Sequence, residues 1–235
     1  SMPSPKKHKK IREPMSALNK VKLIENHEPL VDVRKACPGT RVSRRCVPYL
    51  RETVADMVNN AQTLLPSGYT FWVRTALRTI EMQRDGYLNF YRALETEHPD
   101  WSYATLRRRT NQYFAPVDEK APPGHTTGGA VDVGLITPSG RPAELTRPYE
   151  FWEGAATFIE GLTPAARRNR MTLYEAMMGA GFSNCEDEFW HYSYGDAAWA
   201  VRTGVDTCCY GLIEPPGEWL ERRPDLKHKL NLNRR

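Results

Sequence analysis

The order in which helical and extended patterns follow one another constrains the fold of this chain more than any other feature. Leu30-Val31-Asp32-Val33-Arg34 alternates apolar and polar residues, as a half-buried strand does. From Pro48 to Leu65, Leu50, Val54, Met57, Val58, Ala61 and Leu64 recur at helical spacing, and Pro66-Ser67-Gly68 ends the run. Tyr69 to Leu77 is aromatic and β-branched and reads as a strand running into Arg78. Thr79 is placed to cap a helix reaching about Leu94, and a short basic helix is expected from Tyr103 to Gln112. A loop holding Pro116 and Gly129 leads into a strand, Ala130-Val131-Asp132-Val133-Gly134-Leu135-Ile136. Helices are expected over Phe151 to Ile159 and Ala165 to Met178, the second with Pro164 in its first turn, and an aromatic strand over Phe189 to Tyr194. No regular βαβ alternation and no internal repeat is present. The pattern predicts one α+β domain over residues 19–220, with a central, mainly antiparallel sheet flanked by helices.

Charge sharpens the boundaries of that domain. The 235 residues carry a net charge of +5, but residues 1–12 hold five bases and no acid, and residues 221–235 hold six bases and two acids. The body between them has 22 bases against 26 acids, so no basic groove for phosphates is expected and no nucleic-acid partner. Residues 1–18, broken by Pro3, Pro5 and Pro14, read as a flexible basic arm, and residues 221–235 as a basic tail. No run of about 18 apolar residues exists, so no membrane-spanning helix is expected. Residues 1–14 lack the apolar stretch of a signal peptide, which favours a cytoplasmic location; an upstream leader trimmed ahead of Ser1-Met2 would instead make the protein periplasmic or exported. The five cysteines have no CxxC spacing and read as free buried thiols, with a Cys37–Cys46 pair as the alternative.

Two of six histidines stand out by context. His125 lies seven positions before Asp132, and His191 lies three positions after Glu188. His125, Asp132 and His191 would supply two imidazoles and a carboxylate, the set that a zinc site with one open position needs. Small Ala130 and Gly134 border Asp132, and Gly128-Gly129 allows a sharp turn between the first two ligands. Glu188 is then the candidate general base, provided the chain bends near it, because an offset of three in a strict strand would point Glu188 and His191 to opposite faces. An amide under attack needs an electrophilic partner for its oxygen, and Arg78 is the choice, with Arg74 in reserve. Arg107, Arg108 and Arg109 read as a solvated face. Such His-Asp and Glu-His spacings also arise by chance, so spacing alone leaves a metal site and an exposed loop histidine equally open.

The ordered set narrows this. Gly-His-Thr-Thr-Gly-Gly-Ala-Val-Asp-Val, followed by Glu-Phe-Trp-His-Tyr-Ser-Tyr-Gly-Asp-Ala-Ala-Trp-Ala, resembles the two zinc motifs of the D-alanyl-D-alanine dipeptidases. These metallopeptidases of the M15 group are known from vancomycin resistance and are related to D,D-carboxypeptidases and to the zinc-containing hedgehog signalling domain. The resemblance covers about residues 25–215. It implies one Zn2+ held by His125, Asp132 and His191, Glu188 as base, Arg78 steadying the transition state, and a small dipeptide such as D-Ala-D-Ala as substrate. It also implies that Glu150, in Arg147-Pro148-Tyr149-Glu150, holds the substrate ammonium where the family typically has Asp. Pro123 stands where the family has Ser, and Arg78 lies in Ala-Leu-Arg-Thr-Ile rather than beside the family's Tyr-Arg-Pro. The alternatives are a D,D-carboxypeptidase or peptidoglycan endopeptidase of the same superfamily, and a catalytically silent zinc-containing binding module.

Overall fold

A strand buried along its whole length, Ala130–Ile136 (β6), organises the fold in the computed structural model, which describes residues 8–147 and 151–222. Covered on both faces, it reads as a nearly continuous apolar run in which Asp132 is the charged exception. It pairs antiparallel with Thr70–Thr75 (β5) on one side and with His191–Ser193 (β8) on the other. Arg41–Val42 (β3) joins β5 in parallel and Ser183–Asn184 (β7) joins β8 antiparallel, so the five-stranded order is β3-β5-β6-β8-β7. Two small pairings lie outside this sheet. Lys22–Leu23 (β1) runs parallel to Thr207–Cys208 (β9), and Leu30–Asp32 (β2) runs antiparallel to Tyr49–Arg51 (β4). The architecture is α+β with a mainly antiparallel central sheet, as the pattern predicts.

The longer helices form because their apolar spacing finds this sheet. Val54, Val58 and Ala61 of Glu52–Leu64 (α3), with Leu173 and Met177 of Pro164–Gly179 (α6), pack on Phe71, Val131 and Val133. Truncating Leu173 or Met177 to alanine there costs about 2–5 kcal/mol. Ile80–Glu97 (α4) starts where expected, with the Thr79 hydroxyl accepting the Met82 N–H at 3.1 Å, and packs against Tyr103–Tyr113 (α5). Shorter helices are Met15–Leu18 (α1), Val33–Ala36 (α2), Ala197–Thr203 (α7) and Gly217–Glu221 (α8). No helix among the described residues is long and apolar enough to cross a membrane. All five cysteines are free thiols.

Four segments depart from the sequence expectation. Val33 and Arg34, read as strand, instead begin α2, because the Asp32 carboxylate accepts the Arg34 N–H at 2.9 Å and caps a helix there. Tyr49–Arg51 is extended rather than the first turn of α3, because its backbone pairs with β2. Residues 151–159 form turns and bends instead of a helix. The buried Arg170 guanidinium takes the carbonyls of Gly154 and Ala156 at 2.9 and 2.8 Å, and Phe189 N–H takes that of Ala155, so helix formation there would have to break all three bonds. Residues 8–18 lie along the body rather than forming a loose arm; residues 1–7 and 223–235 lie outside the described ones. The anchor is Glu13, whose carboxylate receives Arg202 Nε and Nη2 at 2.6 and 2.8 Å. Arg202 is buried, and breaking a pair of that kind typically costs about 3–5 kcal/mol.

Candidate metal centre and active site

The sheet register brings the candidate ligands together. Asp132 on β6 is the direct cross-strand partner of His191 on β8, and β5 carries a register shift between Val73 and Thr75 beside it. His125 comes from a short 3-10 turn, Gly124–Thr126, that precedes β6. The chain reverses there through Gly128, at φ +75°, and Gly129, where a Cβ would stand 2.6 Å from the Tyr194 carbonyl oxygen. One atom each from His125, Asp132 and His191 lies within 4.8 Å of the others. His125 Nε2 and His191 Nδ1 approach the same oxygen, Asp132 Oδ1, at 3.1 and 3.0 Å.

The donor set fits a divalent metal on its own chemistry. The Ala76 carbonyl, 2.8 Å from His125 Nδ1, can only accept, so Nδ1 carries the proton. In the neutral ring Nε2 is then a lone pair aimed at a carboxylate oxygen, and a positive charge has to stand between the two. Burial disfavours the imidazolium and lowers the His125 pKa, although the Asp132 charge pulls the other way. A cation with bonds of about 2 Å to nitrogen and oxygen satisfies both atoms. Fixing the far nitrogen on a backbone carbonyl is also how metal-ligating histidines are commonly oriented.

Glu188 and Arg78 open into the same cavity, of about 1030 Å³, as the three candidate ligands. The bend required at Glu188 is present: Glu188 N–H bonds to the Cys185 carbonyl, and His191 N–H to the Glu188 carbonyl at 3.1 Å, so two turns flank the residue before β8 begins. Burial pushes the Glu188 carboxyl well above its ordinary range, the Asp132 charge adds to this, and Arg78 opposes it. Arg78 follows β5 and is held by three contacts. Its N–H donates to the His125 carbonyl at 2.8 Å, its Nη1 donates to Gln83 Oε1 at 3.2 Å, and its Nη2 lies 3.8 Å from Asp132 Oδ2. The reserve residue, Arg74, is exposed and stacks on Trp72, away from the cavity lining. Glu150 lies outside the described residues.

Other lining residues carried no site signal in the sequence. Gln83 steadies Arg78 and is itself tied to the Ala115 carbonyl at 3.0 Å; a polar residue facing the apolar side of α4, five positions after the arginine, was the available clue. Trp190 walls the cavity and stacks on Phe151 at 5.0 Å. Arg108 and Arg109 are exposed, as expected of a solvated face, although they border the cavity, and half-buried Arg107 forks onto Asp118 and Glu119.

A sequence profile of the M15 peptidases, described as D-ala-D-ala dipeptidase, matches residues 40–207. The chain belongs to the M15 D-Ala-D-Ala dipeptidase family. Among curated relatives, this family member is similar to a D-alanyl-D-alanine dipeptidase of Escherichia coli (strain K12), 31% identical over 83 residues, 35% of this chain and 43% of the relative. A D-alanyl-D-alanine dipeptidase of Synechocystis sp. (strain ATCC 27184 / PCC 6803 / Kazusa) is 29% identical over 91 residues, 34% of this chain and 37% of the relative. The matched stretch therefore spans less than half the length of either relative. Among solved structures, a variant of the vancomycin resistance D,D-pentapeptidase VanY in complex with Zn(II) gives a TM-score of 0.43 at 15% identity, covering 80% of this chain and 95% of that one. VanYB in complex with D-alanine-D-alanine gives 0.40 at 18%, covering 81% and 94%.

Proposed function

We propose that this chain hydrolyses D-Ala-D-Ala, or a closely similar small dipeptide, in a zinc-dependent reaction. The observation that carries the reading is the meeting, in one cavity, of a two-imidazole, one-carboxylate cluster with a buried glutamate and a tethered arginine. His125, Asp132 and His191 would hold the ion. When bound, zinc supplies Lewis acidity that polarises a carbonyl and acidifies water. Glu188, as the carboxylate, would take the proton of the attacking water and return it to the leaving amine; a cation held beside it would offset the Asp132 charge that, with burial, raises its pKa, and so favour that ionised form. Arg78 places its guanidinium where the amide oxygen gains charge, and Gln83 keeps it there. Glu150, by its place in the family motif, takes the free ammonium of the dipeptide.

The test is a panel of dipeptides of both chiralities with free and blocked amino ends, assayed on metal-free and zinc-reconstituted protein. Hydrolysis confined to the zinc-loaded protein and to free D,D-dipeptides supports the reading. Undiminished turnover in Glu188→Ala overturns the mechanism. A second reading, D,D-carboxypeptidase or endopeptidase action on longer chains, draws on the cavity volume, which is at the upper end of the range for small-molecule sites. Faster cleavage of acyl-D-Ala-D-Ala than of the free dipeptide would favour it. Loss of catalysis, as in a silent zinc module, sits poorly with Glu188 and Arg78 both facing the cavity.

A further inference from the structure

Residues 10–15 and Leu18 line the same cavity as the metal-site residues, opposite α5. Their attachment forms a closed circuit of named contacts. Lys10 Nζ and Gln112 Nε2 of α5 both donate to Asp187 Oδ1, at 2.5 and 3.2 Å, so one carboxylate joins the N-terminal segment to the helix across from it. At the other end, Asn19 Nδ2 donates to Glu119 Oε2 at 2.9 Å, and Glu119 Oε1 accepts from Arg107 of α5 at 3.2 Å. Between these ends, Glu13 grips the buried Arg202. On either side of Lys10, His8 Nε2 and the Ile11 N–H reach Glu186 at 2.8 and 3.0 Å, and the His8 ring centroid lies 4.0 Å from that of Phe158. Glu186 and Asp187 immediately precede Glu188 in the chain.

We propose that residues 8–19 and α5 form a closed rim around the cavity, and that this rim sets the length of peptide the site admits. The proposal rests on the peptidase reading above and deepens it. On this proposal a dipeptide is held inside the rim. Each further residue adds roughly 3.3–3.6 Å of extended chain, which has to pass the N-terminal segment and displace it from Asp187 or Arg202. Glu13 and Lys10 are therefore specificity-determining residues for peptide length, acting through the segment they fasten.

The experiment uses the full chain, zinc-loaded, with Glu13→Gln and Lys10→Glu as separate variants. The Lys10 side chain is about half exposed, so its variant breaks a rim contact without stranding a buried charge. Two quantities are read: kcat/KM for D-Ala-D-Ala-D-Ala relative to D-Ala-D-Ala, and hydrogen–deuterium exchange over residues 8–19. The expected result is faster exchange in that segment together with at least a tenfold rise in the tripeptide-to-dipeptide ratio. Faster exchange with an unchanged ratio overturns the length filter, and unchanged exchange in both variants overturns the fastening. Failure of the wild-type chain to cleave either peptide counts against the peptidase reading, while the exchange measurement still decides the fastening.

Discussion

Asp132 and Glu188 are buried at the wall of one cavity, and their surroundings drive the two carboxyl groups in opposite directions. Burial raises both. The imidazoles of His125 and His191 then bring Asp132 well below the usual carboxylate range, whereas Glu188 meets the Asp132 charge and stays well above it. One group is thereby a fixed anion and the other a proton carrier, a separation that lets neighbouring carboxyls take different chemical roles.

That separation has a signature in metal-free protein. Between the ordinary glutamate value of 4.5 and its raised folded value, Glu188 holds a proton that the unfolded chain has released. The folded state then binds more protons, so this stabilising contribution is complete below 4.5 and is lost as pH rises toward the folded value, at up to about 1.4 kcal/mol per pH unit. Denaturant unfolding of wild type and Glu188→Gln at a series of pH values should show the stability of wild type falling relative to that of the variant as pH rises above 4.5. Parallel slopes would mean that Glu188 is not the buried acid described.

Zinc should stabilise the chain as well as activate it. At a thousandfold excess over its dissociation constant, a ligand that binds only the folded state adds about 4 kcal/mol. Calorimetric titration should find one ion per chain, chelation should lower Tm, and Asp132→Asn or His125→Ala should abolish both effects. A Tm indifferent to zinc in the wild-type chain would remove the metal from the proposal.

Arg78→Ala should lower kcat/KM for the dipeptide by about 10²–10³-fold, the usual cost of losing one oxyanion donor, while leaving zinc stoichiometry at one. Gln83→Ala should give a smaller loss, because it frees the guanidinium without removing it. A steady-state comparison of the two, with zinc content measured in each, separates a role in catalysis from one in metal retention.

Gly129→Ala tests the loop that delivers His125. Its Cβ would meet the Tyr194 carbonyl oxygen at 2.6 Å and the Tyr210 ring at 3.0 Å, so backbone must move, at about 1–3 kcal/mol in stability. Urea unfolding should register that cost. Zinc affinity should fall with it, since His125 lies only four residues away in the same turn.

Much of this molecule was readable in its residues, and the exceptions share a cause. The strand bounds at Ala130 and Ile136, the Thr79 cap and the Pro164 start of α6 are local signals, and each is found where expected. The ligand cluster was legible as a set through the two ordered motifs of the family resemblance, because spacing alone left it open and the pairing of Asp132 with His191 is made only when β6 and β8 meet. Phe151 to Ile159 has helical composition, yet Arg170 and Phe189, remote in sequence, claim its carbonyls. Residues 8–18 look solvated in isolation, but Glu13 finds Arg202, 189 positions away, and no local pattern records that pairing.

The pairing of Asp132 with His191 across the β6–β8 ladder makes two of the candidate ligands a property of the sheet rather than of a loop. Their separation is set by hydrogen bonds between strands, and moving one relative to the other means shearing the core. An ion would therefore meet a seat whose spacing is already fixed, without the ordering cost borne by metal sites that assemble only as the ion arrives. Discrimination among ions then becomes a question of fit to a rigid span, settled when the sheet forms and before any metal is present.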